Sequence, residues 1–155
     1  MISADDFFWY VDEALNGMVA IVESLGDEGA NRRPDLPGAN SAYAILFHCL
    51  GVMEYWGGQV VAGRTIERDR DAEFRATGCV SDLVARARRA RAQLVEDMAG
   101  LDPAAPPRRP LAPDDPDAGL PIARTQGGAL IHIYEELAQH RGQMELTRDV
   151  IRSAG

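Results

Sequence analysis

The feature that most constrains the fold is helical periodicity, because four long segments repeat their apolar residues at the 3.6-residue spacing of an α-helix. The clearest segment is GALIHIYEELAQHRGQMELTRDVIR, within a helix predicted over about residues 127–152. The other three predict helices over about residues 4–25, 41–63 and 82–101. No stretch alternates apolar and polar residues as a half-buried strand would. We therefore expect an all-α protein, a four-helix bundle with long connections.

Capping residues and glycines set the expected helix ends. A side chain able to accept a hydrogen bond stands at each predicted start: Ser3, Asn40 or Ser41, Ser81, and Thr125 or Gln126. Gly26 is expected to end the first helix. Residues 26–39 and 101–125, both rich in proline, are predicted to be loops. Residues 64–79 are charged without an apolar stripe, so they predict an exposed connection with at most one helical turn.

Length and charge narrow the class of protein. The 155 residues are expected to form a single domain over residues 1–155. The net charge of −8 argues against a nucleic-acid partner, since phosphate binding depends on clustered basic residues. The sequence has no apolar run of membrane-spanning length and no basic amino-terminal leader. The two isolated cysteines, Cys49 and Cys79, suit a reducing compartment, so we expect a cytoplasmic protein.

The last helix carries His132, Glu136 and His140 at successive four-residue steps, with Gln143 near the same face. Residues four apart on a helix are neighbours, at roughly 6 Å between Cβ atoms. His48, in the middle of the apolar second helix, is the expected further ligand. A carboxylate on a core-facing stripe is rarely buried unless it is paired or bound to metal. These residues predict a divalent-metal site of the His₂Glu type.

Several alternatives remain open from spacing alone. Zinc suits two imidazoles and a carboxylate, but imidazole also binds nickel, iron and copper. His132 can replace Glu136, support it from behind, or simply be hydrogen-bonded one turn away. Gln143 can orient a ligand or cap a neighbouring backbone group. A helical bundle that binds no metal is also compatible with this spacing, which is common in helices.

Three stretches resemble the DinB-like superfamily of metal-dependent proteins, which includes the mycothiol-dependent maleylpyruvate isomerase amino-terminal domain and the bacillithiol transferases. They are PGANSAYAILFHCLGVMEYW, RDRDAEF and HIYEELAQHRGQMELTRDVI, in that order. The resemblance implies an up-down-down-up four-helix bundle that forms a homodimer. It also implies a divalent cation, with zinc as the first choice and nickel as the second, held by His48, Glu136 and His140.

The glutamate at position 136 is similar to the mycothiol-dependent branch, where many other members have a third histidine. The resemblance therefore implies a transferase that activates a low-molecular-weight thiol, mycothiol, for attack on an electrophilic acceptor. The isomerase has a second domain, whereas this sequence ends at Gly155, which favours a thiol transferase over an isomerase. The alternative is a non-catalytic protein of the stress response that binds a metal or a small ligand.

Overall fold

The computed structural model describes residues 3–153, and every regular element in that range is helical. Its α-helices are α1 (Ala4–Asn31), α2 (Ala42–Tyr55), α3 (Arg70–Glu73), α4 (Val80–Asp97) and α5 (Gln126–Ser153). A π-helix, Trp56–Val61, continues α2, and a 3₁₀ turn, Pro121–Ala123, precedes α5. The predicted all-α class is confirmed. The up-down-down-up connectivity and the homodimer remain predictions.

Most of the expected helix starts are present. The Ser3 hydroxyl accepts a hydrogen bond from the Asp6 backbone N–H, and Ser41 does the same for Ala44. Thr125 accepts from the backbone N–H of Gly128 at 3.0 Å, at the start of α5. These bonds satisfy backbone donors that have no partner within the helix.

One predicted loop and one predicted helix start differ from the structure, for different physical reasons. Gly26 breaks the first helix as predicted, with φ 64°, but a further helical stretch follows it to Asn31, so the predicted loop over residues 26–39 begins only after Asn31. The third long helix begins at Val80 rather than after Ser81. The Asp27 carboxylate accepts from the Val80 N–H at 2.7 Å, so the cap comes from α1 and not from the adjacent sequence.

Helix α2 lies at the centre of the packing. It contacts α1, α4 and α5, while α1 also packs on α4 and α5. Almost the whole circumference of α2 is buried, as its apolar composition predicts. No helix within residues 3–153 combines the length and apolar composition that a membrane crossing requires.

The π-helix packs closely against α4. A Cβ atom on Gly57 would stand 2.7 Å from Leu94 Cδ1 of α4, and one on Gly58 would stand 2.7 Å from the Arg64 guanidinium. Gly57 therefore allows this close packing on α4, whereas Gly58 leaves room for the Arg64 side chain of the connection that follows.

The connection between the π-helix and α4 contains mostly exposed or partly exposed residues, as predicted, but its Arg68 and Glu73 side chains are nearly buried. Glu73, the last residue of α3, is only 4% exposed. Asp69 caps this short helix by accepting from the Ala72 backbone N–H at 2.9 Å. The charged sequence around Glu73 gives no sign that this carboxylate turns inward.

The core prediction concerns Leu137 of α5, which is fully buried. Leu137→Ala is expected to lower the free energy of unfolding by about 2–5 kcal/mol, through lost apolar burial and a residual cavity. Leu146→Ala on the same helix is the control, because Leu146 is 71% exposed. Urea denaturation measures both. Equal effects of the two substitutions would contradict the described packing of α5.

Candidate metal centre

The predicted ligands His48, Glu136 and His140 meet between α2 and α5. One donor atom from each lies within 4.8 Å of the others, which is a spacing that a single divalent ion can bridge. His48 Nε2 is 3.0 Å from Glu136 Oε2, and His140 Nε2 is 3.4 Å from the same oxygen. Each of the two imidazoles thus directs its Nε2 atom at the Glu136 carboxylate.

The hydrogen bonds of His48 show that its surroundings suit a cation. Its Nδ1 lies 2.8 Å from Glu73 Oε2, on the other side of the ring from Glu136. A carboxylate only accepts, and a neutral imidazole has a single N–H to donate. One of the two contacts therefore requires a second proton on the ring or a cation at the ring nitrogen. A metal ion beside Nε2 and Glu136 satisfies this need.

His140, like His48, has a hydrogen-bond partner at each ring nitrogen, but its partner at Nδ1 is a neutral amide. Its Nδ1 donates to Gln143 Oε1 at 2.8 Å, which leaves Nε2 directed at Glu136. Gln143 therefore contacts a candidate ligand, as one of its two predicted roles requires. Whether it supports a bound metal remains a prediction.

The two sides of the site differ in exposure. The His48 side chain is 4% exposed, and its ring stacks on Phe74 with the centroids 4.4 Å apart. The side chains of Glu136 and His140 are each 22% exposed. The two donors on α5 are therefore partly accessible to solvent, whereas the donor on α2 is buried.

The hydrogen bonds between the histidines and the carboxylates of the site favour the charged forms and shift the pKa values of His48, Glu73 and Glu136. Burial lowers the pKa of His48, but the hydrogen bonds with Glu136 and Glu73 outweigh it and leave this pKa above its ordinary value of 6.5. The hydrogen bonds from His140 and then His48 hold the pKa of Glu136 far below its usual range. Burial raises the pKa of Glu73, yet its bonds with His48 and Arg68 lower it overall. Both carboxylates are thus ionised at neutral pH.

Glu73 and Arg68 are the residues of this site that the sequence analysis did not identify. Arg68 grips the Glu73 carboxylate through Nε to Oε1 at 2.8 Å and Nη2 to Oε2 at 2.9 Å. The RDRDAEF stretch that contains both was recognised only as part of the family resemblance. No local signal in that stretch distinguishes Glu73 and Arg68 from their exposed, charged neighbours.

His132 lies beside the site and makes no hydrogen bond to Glu136. Its Nδ1 is 3.3 Å from Glu135 Oε2, and its ring meets the edge of Trp56 with the centroids 4.6 Å apart. Its positive electrostatic influence contributes to the low pKa of Glu136, after the larger effects of His140 and His48. A supporting role for His132 remains a prediction.

Two imidazoles and a carboxylate between packed helices define an all-helical protein with a site able to bind a divalent metal. The family model of the DinB superfamily matches residues 10–144, so the chain belongs to the DinB superfamily. This confirms the broader resemblance, while membership of the mycothiol-dependent branch remains a prediction. No curated protein matches the sequence.

Metal affinity is expected to fall as the pH is lowered. Protons compete with the metal for imidazole, and the raised pKa of His48 means that this competition begins at a higher pH than for an ordinary histidine. Affinity should be greatest above the pKa of His48 in the metal-free protein and should decrease through it. Competition with a chromophoric chelator between pH 8 and pH 5.5, with the chelator calibrated at each pH, measures the zinc affinity. A constant affinity over this range would contradict the assignment of His48.

Proposed function

We propose that this protein is a metal-dependent transferase that uses a low-molecular-weight thiol, mycothiol, with zinc as its first-choice metal and nickel as the second. The observation that carries the proposal is the convergence of His48, Glu136 and His140 donors on one point between α2 and α5. Membership of the DinB superfamily supports a metal-dependent role.

The donor set supports a reactive site over a purely structural one. Structural zinc is usually closed by four protein ligands, whereas catalytic zinc keeps a position for water or substrate. The candidate group contains three donors. When bound, a divalent cation stabilises a thiolate, which is the nucleophilic form of a thiol. The partial exposure of Glu136 and His140 supports access for a small thiol from solution.

The protein's own thiol near the site is unsuited to act as the nucleophile. Cys49 is fully buried, and its Sγ lies 3.9 Å from the backbone carbonyl of Glu136. Burial, reinforced by the negative charges of Glu136 and Glu73, raises the pKa of Cys49 well above its usual value. The thiol remains protonated at neutral pH, which supports a nucleophile supplied from solution.

Each site residue has a separate role in this proposal. His48 and His140 contribute Nε2, and Glu136 contributes the carboxylate that neutralises part of the metal's charge. Gln143 holds His140 through Nδ1. The choice of mycothiol is supported by the glutamate at position 136 and by the use of arginine for all 16 basic residues, which suits a high-GC genome.

Metal binding is tested by Glu136→Gln, with Glu135→Gln as the matched control. Glu136 contacts both imidazoles, whereas Glu135 is half exposed and bonds to Gln139 and His132. We expect about one zinc per wild-type and Glu135→Gln chain, and loss of at least 10-fold in affinity for Glu136→Gln. Elemental analysis and chelator competition provide the measurement. Equal zinc binding by the two variants would exclude Glu136 as a ligand.

Thiol transfer is tested with zinc-loaded protein, mycothiol and a panel of electrophilic acceptors. We expect adduct formation, detected by mass spectrometry, that disappears on chelation and returns with zinc. Glu136→Gln should be inactive and Glu135→Gln active. Tight zinc binding without thiol-dependent turnover across the panel would favour the alternative, a non-catalytic metal-binding or small-ligand-binding protein.

A further inference from the structure

We infer that Glu73, held in place by Arg68, is a positioning residue that fixes the tautomer and ring orientation of His48 for metal binding. This inference rests on the metal-binding part of the proposed function and does not depend on the thiol chemistry. It assigns a task to two buried charged residues that lie outside the candidate ligand set.

Glu73 and Glu136 lie on opposite sides of the His48 ring, so Glu73 is not placed to bind the ion that Nε2 and Glu136 would hold. Glu73 Oε2 is 2.8 Å from Nδ1, whereas Glu136 Oε2 is 3.0 Å from Nε2. These nitrogens lie on different edges of the imidazole ring. The Glu73 carboxylate, paired with Arg68, only accepts hydrogen bonds, and its 2.8 Å contact with Nδ1 is much shorter than the 3.4 Å contact of Arg68 Nη2 with the same nitrogen. This geometry places the proton on Nδ1 and leaves the Nε2 lone pair for a cation.

Arg68 makes this control of the tautomer rigid. Its two bonds to Glu73 are parallel and charge-assisted, with side-chain exposures of 9% for Arg68 and 6% for Glu73. A buried carboxylate without such a partner would carry a large desolvation cost. The guanidinium also lies over the Tyr55 ring, 5.7 Å from its centroid, which limits its movement.

The backbone around the pair is shaped to bring the carboxylate inward. Glu73 is the last residue of α3, whose start Asp69 caps. On the facing surface of α2, a Cβ atom at Gly51 would stand 2.1 Å from Glu73 Oε1. Only a residue without a side chain leaves room for the carboxylate in this position.

The two candidate imidazoles are therefore held unequally. Glu73 is a buried carboxylate paired with Arg68 and supports His48, whereas Gln143 is an exposed amide and supports His140. A glutamine can both donate and accept, so it does not dictate which ring nitrogen carries the proton. We expect that the loss of the Glu73 charge weakens metal binding more than Gln143→Ala does.

The experiment compares Glu73→Gln with the double variant Arg68→Met/Glu73→Gln. Glu73→Gln retains the shape but loses control of the tautomer, so zinc affinity by chelator competition should fall about 10–100-fold, as is typical for residues that orient metal ligands. The single variant leaves the Arg68 charge buried and unpaired, which should lower the urea midpoint. The double variant removes that charge, so its urea midpoint should recover while its zinc affinity stays low.

Recovery of zinc affinity together with stability in the double variant would overturn the inference, because it would show that the pair only supports folding. Unchanged affinity in Glu73→Gln would also overturn it. If Glu136→Gln binds zinc as well as wild type, the metal-site proposal itself fails, which is a distinct result.

A measurement on the wild-type protein tests the same point without substitution. Long-range ¹H–¹⁵N NMR of the zinc-loaded protein should show the His48 proton on Nδ1, with Nε2 shifted by the metal. A proton on Nε2 would overturn the inference even if both variants failed to fold.

Discussion

The site depends on the contact of one carboxylate with two imidazoles. Glu136 lies on the face of α5 that packs against α2, where an unpaired carboxylate would oppose folding. His48 and His140 supply the compensating hydrogen bonds. The same three groups that make this burial possible form a donor set for a divalent cation, so packing and metal binding place matching demands on these positions.

A network of ion pairs and hydrogen bonds extends from that contact to Arg68. Arg68 pairs with Glu73, Glu73 with His48, and His48 with Glu136, so the two carboxylates alternate with a guanidinium and an imidazole from the connection between α2 and α4 to the face of α5. This network is nearly buried at Arg68, whose side chain is 9% exposed, and more exposed at Glu136, whose side chain is 22% exposed. The rigidly held Arg68–Glu73 pair and the partly solvent-exposed Glu136 thus lie at opposite ends of one network of contacts.

The sequence predicted the parts that depend on local patterns. Helical periodicity identified the long helices, and the hydroxyls of Ser3 and Ser41 marked two of their starts. The stripe on α5 and the apolar surroundings of His48 brought the candidate donors into one hypothesis. That they lie together is a finding of the structure, while their binding of metal remains to be measured.

The missed features depend on contacts between residues distant in sequence. Asp27 caps α4 across 53 residues of chain, which displaces the expected start at Ser81. Glu73 stands in a charged stretch whose composition predicts exposure, and only the absence of a side chain at Gly51 makes room for it. Neither partner can be recognised from the residues adjacent to it.

The π-helix at Trp56–Val61 affects how this sequence should be aligned with other members of its superfamily. A π-turn accommodates one more residue than an α-turn over the same rise. A homologue whose second helix runs straight should therefore lack one residue between the equivalents of Tyr55 and Arg64. An alignment that ignores this offset would pair the wrong residues for Arg68 and Glu73 while still matching His48.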